Sequence, residues 1–210
     1  MPVVPDSSGD LALSDWAKNW IKREYNKPGD VFLGVVHRLD RPVSGIVVFG
    51  RTSKGASRLS EAWRNGKVRK IYRGISDAPP TLTVGDEGEV VQWLVKDRER
   101  NIVRVVPANP NQSVSDIQTH PNPQAREARS NWKVLAIENG KTRLQLEPVT
   151  GRSHQLRLAC VELGLPLMGD LKYGATSAMA DRRIGLHACE LYLPHPTLAE
   201  ELHFISAEPF

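Results

Sequence analysis

The residues best suited to chemistry lie in the segment HRLDR, residues 37–41, where one carboxylate, Asp40, stands among two arginines and a histidine. Apolar runs flank it, from Phe32 to Val36 and from Ile46 to Phe49. Short apolar runs bounded by proline and glycine are typical of buried strands, so we expect Asp40 in a tight turn at a sheet end. Such loops often display reactive groups. An aspartate beside arginines is nevertheless more often a structural ion pair, and this segment alone favours that interpretation.

A second cluster of chemistry-bearing residues lies between Glu147 and Gly174. Gly151 permits a sharp turn into a helix that is expected to begin at Ser153. Arg152 lies in this turn and Arg157 in the helix. A guanidinium stays charged and offers five donors in a planar fork, which suits it to hold a carboxylate or a phosphate. Taken alone, both arginines could equally be solvent-exposed residues at the start of a helix, with no role in binding.

The elements that position these residues follow from periodicity and turn signals. Helices are predicted at Asp10 to Tyr25, from Thr52-Ser53 to Asn65-Gly66, and at Ser153 to Leu163. Further strands are predicted at Val68 to Ser76, in a hairpin over Glu89 to Val106, in a hairpin over Asn131 to Glu147 with its turn at Asn139-Gly140, and at Leu186 to Leu193. Strands in runs with few helices between them indicate an α+β fold.

Two other features complete the predicted organisation. Ala108 to Arg126 is rich in Pro, Asn, Gln and Ser without periodicity, and we predict a loop there. Trp16, Trp20 and Trp63 fall on apolar helical faces and are predicted to be core residues, with Ser14-Asp15 offering a cap for the first helix.

Composition excludes several classes of protein. With 210 residues, 40% hydrophobic and 25% charged, the chain is typical of a soluble globular protein, and its net charge of +4 is compatible with a nucleic-acid partner. Two cysteines are too few for a disulfide framework or a four-thiolate metal site. No apolar run approaches the 18 residues of a membrane span. We therefore expect an intracellular protein, cytoplasmic or organellar if a targeting segment precedes Met1.

Five segments in order carry a family resemblance. HRLDRPVSGIVVFGRTSK resembles the signature of the RluA-type RNA pseudouridine synthases, whose HRLD-x-x-(T/S)-SG segment carries the catalytic aspartate. KIYRG is similar to the family's K-x-Y segment, and GRSHQLR, LPLMGDLKYG and LHACELYLPHP resemble its three later segments. Val43 stands where the family usually has Thr. The ordered set, from Leu33 to Pro196, is far more specific than an isolated RLD.

The resemblance implies a reaction in which uridine in RNA loses its bond from C1′ to N1 and rejoins the ribose through C5. Asp40 is implied as the essential group, either attacking C1′ or removing a sugar proton to give a glycal-like species, and both routes stay open. Arg157 is implied to orient Asp40 and keep it ionised. Tyr72 is implied to stack on the base and to help remove its C5 proton. The reaction needs no redox step or group carrier, so we expect no cofactor.

The same resemblance implies how the substrate is held. Arg38 is expected to keep the target nucleotide flipped out of its helix, which costs a few kcal/mol of stacking. The other residues expected to bind substrate are Leu39, Arg41, Arg152 and His154. His37, His154 and His187 are also expected to brace loops through hydrogen bonds, and their spacing with Cys160 and Cys189 disfavours a metal site.

At the level of the whole chain, we expect one catalytic domain over residues 1–210, with a mixed, mainly antiparallel sheet and flanking helices. The family's first strand and the separate N-terminal RNA-binding domain of many members are expected to be missing. The expected partner is RNA, ribosomal or transfer RNA, bound by a monomer away from membranes. The alternative is a catalytically silent RNA-binding scaffold, for example in ribosome assembly. A glycosidase-like hydrolase would need a second carboxylate near Asp40, and none of the segments supplies one.

Overall fold

The computed structural model describes residues 1–97, 99–107 and 120–210, so most of the loop predicted at Ala108 to Arg126 lies outside the described residues. The chain divides into two compact units, Met1–Lys70 with Ala188–Glu208 and Ile71–His187 with Pro209–Phe210. Helices α1 (Leu13–Glu24) and α2 (Ser53–Arg64) belong to the first unit and α3 (Gln155–Glu162) to the second. Together with ten strands, they confirm the predicted α+β class in the described part of the chain. None of the described helices is long and apolar enough to cross a membrane.

The first unit contains two small strand pairings. Strands β1 (Gly34–Val35) and β3 (Phe49–Gly50) pair antiparallel, while β2 (Ser44–Gly45) pairs with β9 (Leu186–Pro194). Strand β10 (Glu201–Ile205), which the sequence analysis missed, runs antiparallel to β9.

The prediction of two buried strands around Asp40 is wrong in length and burial. Only Gly34 and Val35 of the first apolar run and Phe49 of the second join the β1–β3 pair, and Phe32 and Val35 are 51% and 41% exposed. A Cβ on Gly34 or Gly50 would lie 2.4 or 2.6 Å from Ala56 of α2. The helix therefore packs directly on the glycine backbone, and the larger side chains beside it are left partly exposed.

Helix α2 supplies the core of the first unit. Its start was predicted correctly: Thr52 is the N-cap, and its hydroxyl accepts a hydrogen bond from the Gly55 amide at 3.0 Å. Leu59 on its buried face packs with Leu191 and Leu193 of β9. The partly buried apolar residues around this cluster are Val36, Ile46, Val48, Trp63, Val68 and Leu202.

Helix α1 does not bury the tryptophans that were predicted to be core. Trp16 and Trp20 are 44% and 41% exposed, because the buried face of the helix carries Ser14 and Ile21 instead. The predicted side-chain cap is also absent: the N-cap is Ala12, and the amides of the first two helical residues donate to the carbonyls of Pro2 and Val3.

The second unit is built on an antiparallel sheet. In the order β4 (Arg69–Ser76, from Ile71 onward), β8 (Lys141–Pro148), β7 (Arg126–Glu138), β5 (Glu87–Asp97) and β6 (Ile102–Val106), neighbouring strands are hydrogen-bonded. Both predicted hairpins are present. Asn139 and Gly140 adopt φ of +52° and +70°, the left-handed pair that a tight primed turn requires.

Helix α3 is fixed to this sheet by apolar and polar contacts. Leu158 packs against Leu94, Val103 and Ala128 of three strands. The buried amide of Gln155 donates to the Arg129 carbonyl at 2.7 Å and the Ser130 hydroxyl at 2.9 Å, and its oxygen accepts from Thr150 and from the Arg152 amide. These bonds satisfy a buried side chain and fix the turn that enters the helix.

In the first unit, Gly45 fixes the loop after Asp40 to strand β9. Its φ is +121°, and an added Cβ would lie 2.3 Å from the Ala188 carbonyl oxygen. The next amide, on Ile46, donates to that same oxygen at 3.0 Å. Only glycine allows this close approach of two backbones.

We therefore expect Gly45→Ala to lower the free energy of unfolding by about 3 kcal/mol, since backbone strain and steric overlap act together. Urea denaturation measures the change. The matched control is Gly85→Ala, at φ +95° with nothing within 4 Å, which carries the backbone strain alone. Equal losses in the two variants would contradict the close approach at Gly45.

Candidate active site

Asp40 lies in the predicted tight turn, directly after a buried anchor. Leu39 is 9% exposed, whereas Asp40 is half-buried and Arg38 is exposed. The turn closes with a hydrogen bond from the Val43 amide to the Asp40 carbonyl at 2.9 Å. The carboxylate therefore belongs to a short loop whose backbone is held at both ends, by Leu39 in the core and by Gly45 against β9.

His37 braces the same loop from its other side. Its Nε2 accepts a hydrogen bond from the Val48 amide at 2.9 Å, and its ring stacks on Trp63 with centroids 4.7 Å apart and an interplanar angle of 18°. Burial lowers the pKa of His37 from 6.5 to about 4, and the charge of Lys70 acts in the same direction. Because Nε2 accepts, the neutral ring carries its proton on Nδ1. The expected bracing by His37 is therefore present.

The two arginines beside Asp40 differ in their surroundings. Arg41 donates through Nη2 to Asp10, its Nη1 lies 3.9 Å from a carboxylate oxygen of Asp6, and its side chain is about half exposed. Arg38 has no hydrogen bond or ion pair within the described residues. Of these two predicted substrate-binding residues, Arg38 is the one that forms no ion pair with a described carboxylate.

Arg157 is held by a buried ion pair in the second unit. Its Nε donates to Asp170 Oδ2 at 2.7 Å and its Nη2 to Oδ1 at 2.6 Å, and the two residues are 4% and 2% exposed. The guanidinium carbon also lies 4.7 Å from the ring centroid of Tyr173. A bidentate pair fixes the plane of the guanidinium as well as its position.

Tyr173 connects this ion pair to His154 and to the sheet. Its hydroxyl lies 2.6 Å from His154 Nδ1 and accepts from the Val103 amide at 2.9 Å. Burial, followed by the charges of Arg157, Lys172 and Lys96, lowers the pKa of His154 to about 4. His154 is therefore neutral near pH 7, and it braces the start of α3 as expected.

The remaining predicted residues also lie in the second unit. Tyr72 is half-buried on β4, opposite Leu146 of β8. Arg152 is exposed in the turn before α3, where its Nε donates to the Glu127 carbonyl at 2.9 Å. The structure thus brings Arg157 and His154 together through Tyr173. The predicted orientation of Asp40 by Arg157 stays a prediction.

The sequence analysis missed Asp170 and Tyr173 as members of the site. Both lie in the segment LPLMGDLKYG, which supported the family resemblance but received no residue roles. The missed signal was physical: an arginine within a buried helix requires a buried carboxylate.

Comparison with known proteins identifies the family. The RNA pseudouridylate synthase family matches residues 1–162. The chain belongs to this family. The predicted resemblance is therefore confirmed, and the reaction of the chain is the isomerisation of uridine to pseudouridine in RNA.

Named relatives match over most of the chain. The dual-specificity RNA pseudouridine synthase RluA of Haemophilus influenzae is 33% identical over 217 residues, 99% of this chain and 89% of the relative. An uncharacterized RNA pseudouridine synthase of Zymomonas mobilis is 32% identical over 91% of this chain and 78% of its own length. The tRNA pseudouridine synthase C of Salmonella typhimurium is 32% identical, covering 79% and 64%.

A solved structure shares the fold. Human RNA pseudouridylate synthase domain containing 4 superposes with a TM-score of 0.75 at 24% sequence identity, covering 100% of this chain and 82% of the human chain. This likeness confirms the fold of the RNA pseudouridylate synthases independently of the sequence motifs.

The buried ion pair predicts that Asp170→Asn lowers the free energy of unfolding by about 3 kcal/mol, because Arg157 would keep a buried charge without its counter-charge. Chemical denaturation measures this loss. The control is Asp181→Asn, which removes an exposed partner of Arg183 and should leave the unfolding midpoint unchanged. A similar midpoint in both variants would contradict a structural role for the buried pair.

The two braced histidines predict a pH dependence of stability. In the folded chain, His37 and His154 have pKa values of about 4, below the ordinary value of 6.5. The unfolded chain then binds more protons between these values, so stability falls as the pH drops from about 6.5 towards 4. NMR titration of the imidazole Cε1–H resonances, assigned with His37→Gln and His154→Gln, checks both values. Titration of either folded histidine near 6.5 would refute its burial in the neutral form.

Proposed function

We propose that Asp40 is the group that acts on the ribose when this chain isomerises uridine in RNA. The observation that carries the proposal is the way the Asp40 turn is held. Leu39 anchors it, the Val43 amide closes it, and Gly45 fixes the following residues to β9. A carboxylate on a backbone held at both ends loses little further freedom when it meets a sugar carbon, which favours reaction.

The chemistry requires one carboxylate and no added reagent. The C1′–N1 bond breaks, a C1′–C5 bond forms, N1 gains a proton and C5 loses one, so the product is an isomer of the substrate. Asp40 either forms a transient bond to C1′ or removes a sugar proton and later returns it. Both routes need Asp40 ionised before the C1′–N1 bond breaks.

Arg157 and Tyr72 are the proposed partners of Asp40. A guanidinium near a carboxylate favours its ionised form, and Asp170 already fixes Nε and Nη2 of Arg157. The half-buried ring of Tyr72 suits stacking on the uracil, and its hydroxyl suits assistance at C5. Arg38, exposed and without a described partner, is proposed to hold the flipped nucleotide.

The proposed substrate is a structured RNA, either transfer or ribosomal. The Salmonella typhimurium relative is named as a tRNA pseudouridine synthase, and the Haemophilus influenzae relative is named as dual-specific. These names support transfer RNA as the first substrate to test. A net charge of +4 suits an RNA partner of either kind.

The purified chain should release tritium from a tRNA transcript that carries [5-³H]uridine, because C5 loses its hydrogen when the new bond forms. We expect Asp40→Asn to lower this rate at least about a thousandfold, since it keeps the shape of the side chain and removes its charge. RNA affinity, measured by filter binding, should change little.

The matched control is Asp181→Asn, which removes an exposed carboxylate outside the proposed site. It should retain the tritium release of the unaltered chain. If Asp40→Asn also retained that rate, the role of Asp40 would be disproved. RNA binding without tritium release from transfer or ribosomal transcripts would instead favour the silent scaffold.

A further inference from the structure

A cationic pocket lies in the second unit, at the start of helix α3. It has a volume of about 230 Å³ and is lined by three basic side chains, Lys96, Arg126 and Arg152, with Gln124 and Ser153 among its other members. None of its described lining residues is an aspartate or glutamate. Its charge is therefore suited to an anion.

The strand register explains why two of these cations meet. Arg126 of β7 lies directly opposite Leu94 of β5, and Lys96 is the next residue of β5 on the same face as Leu94. That face carries α3, because Leu94 packs with Leu158. Arg152 then enters from the turn that precedes the helix. The three side chains thus come from three segments of one unit.

The two arginines are held in place without being neutralised. Arg126 Nη1 donates to the carbonyls of Pro123 at 2.6 Å and Ala125 at 2.8 Å, and Arg152 Nε donates to the Glu127 carbonyl at 2.9 Å. Carbonyl oxygens orient a guanidinium and leave its charge intact. Within the described ranges, neither arginine nor Lys96 forms an ion pair with a carboxylate.

His154 independently indicates a positive potential at this end of α3. After burial, the charges of Arg157, Lys172 and Lys96 all disfavour its protonated form, and Asp170 is the single opposing charge named among the causes. Lys96 of the pocket thus acts electrostatically on a residue beside it. An anion bound in the pocket would reduce this excess of positive charge.

We propose that the pocket of Lys96, Arg126 and Arg152 binds a backbone phosphate of the RNA substrate. The proposal rests on the proposed function in one respect, that RNA is the substrate. Guanidinium forks match phosphate oxygens in geometry, and a lysine adds a point charge. Phosphate contacts of this kind fix the register of an RNA without reading its sequence.

The test is the double variant Lys96→Gln/Arg126→Gln, with an unmodified tRNA transcript as the probe. We expect its Kd to rise about tenfold, and the slope of log K against log salt to become shallower by about one. The KM for the transcript should rise with Kd while kcat at saturating RNA is kept, because the pocket positions RNA and takes no part in bond breaking.

The matched control is Arg129→Gln/Lys133→Gln. These residues lie on the opposite face of β7 and pair with Glu89 and Glu87, so the variant loses the same charge outside the pocket. Its Kd and salt slope should equal those of the unaltered chain. Thermal unfolding of both double variants confirms that each is folded.

Equal RNA affinity and salt slope in the two double variants would overturn the proposal. So would tight, pocket-dependent binding of uridine 5′-monophosphate with RNA affinity unaffected, since the pocket would then serve a small phosphate. Failure of the proposed function is distinguishable from both outcomes. It appears as absent tritium release in the unaltered chain, whereas the pocket is judged by RNA binding alone.

Discussion

The buried ion pair between Arg157 and Asp170 is the constraint on which the second unit depends. Two charges that are almost fully buried must meet in good geometry, because either one alone would be strongly destabilising. The pair joins α3 to the short 3₁₀ helix Leu171–Tyr173, whose tyrosine reaches the sheet and His154. This connection ties the start of α3, beside the cationic pocket, to strand β6.

The first unit holds the loop of Asp40 in a different way. Around Asp40, the fixed contacts are mostly between backbones: a turn closed by Val43, a glycine pressed against β9, and an amide bound by neutral His37. Backbone contacts are insensitive to the charge of the carboxylate, so the loop would keep its place if Asp40 changed its charge or formed a bond in the proposed reaction. The backbone contacts therefore fix the position of the loop without involving the carboxylate group of Asp40.

Much of the fold could be predicted because its signals are local. The Asn139-Gly140 turn, the Thr52 cap and the two hairpins depend on neighbouring residues, and all are present. The predictions that were wrong depended on distant contacts. From their neighbours in the sequence, Gly34 and Gly50 look like the ends of strands. In the structure, α2 packs directly on the backbone of both glycines. The sequence gives no local sign of this contact.

In the candidate site too, some residues could be predicted from the sequence and others depend on contacts between distant residues. Asp40, Tyr72 and Arg157 were predicted as site residues because ordered segments resemble a family, and that prediction does not require knowledge of contacts. Asp170 was missed because its role appears only when a distant arginine is known to be buried. The pocket was missed too, since Lys96 and Arg126 meet through strand register and not through sequence spacing.

The central claim, that the chain isomerises uridine through Asp40, is tested most directly by mapping pseudouridines in cellular RNA. Cells that carry the unaltered chain would be compared with cells in which only Asp40→Asn is made. The account predicts at least one site in transfer or ribosomal RNA that is pseudouridine in the first and uridine in the second. Identical maps would contradict it.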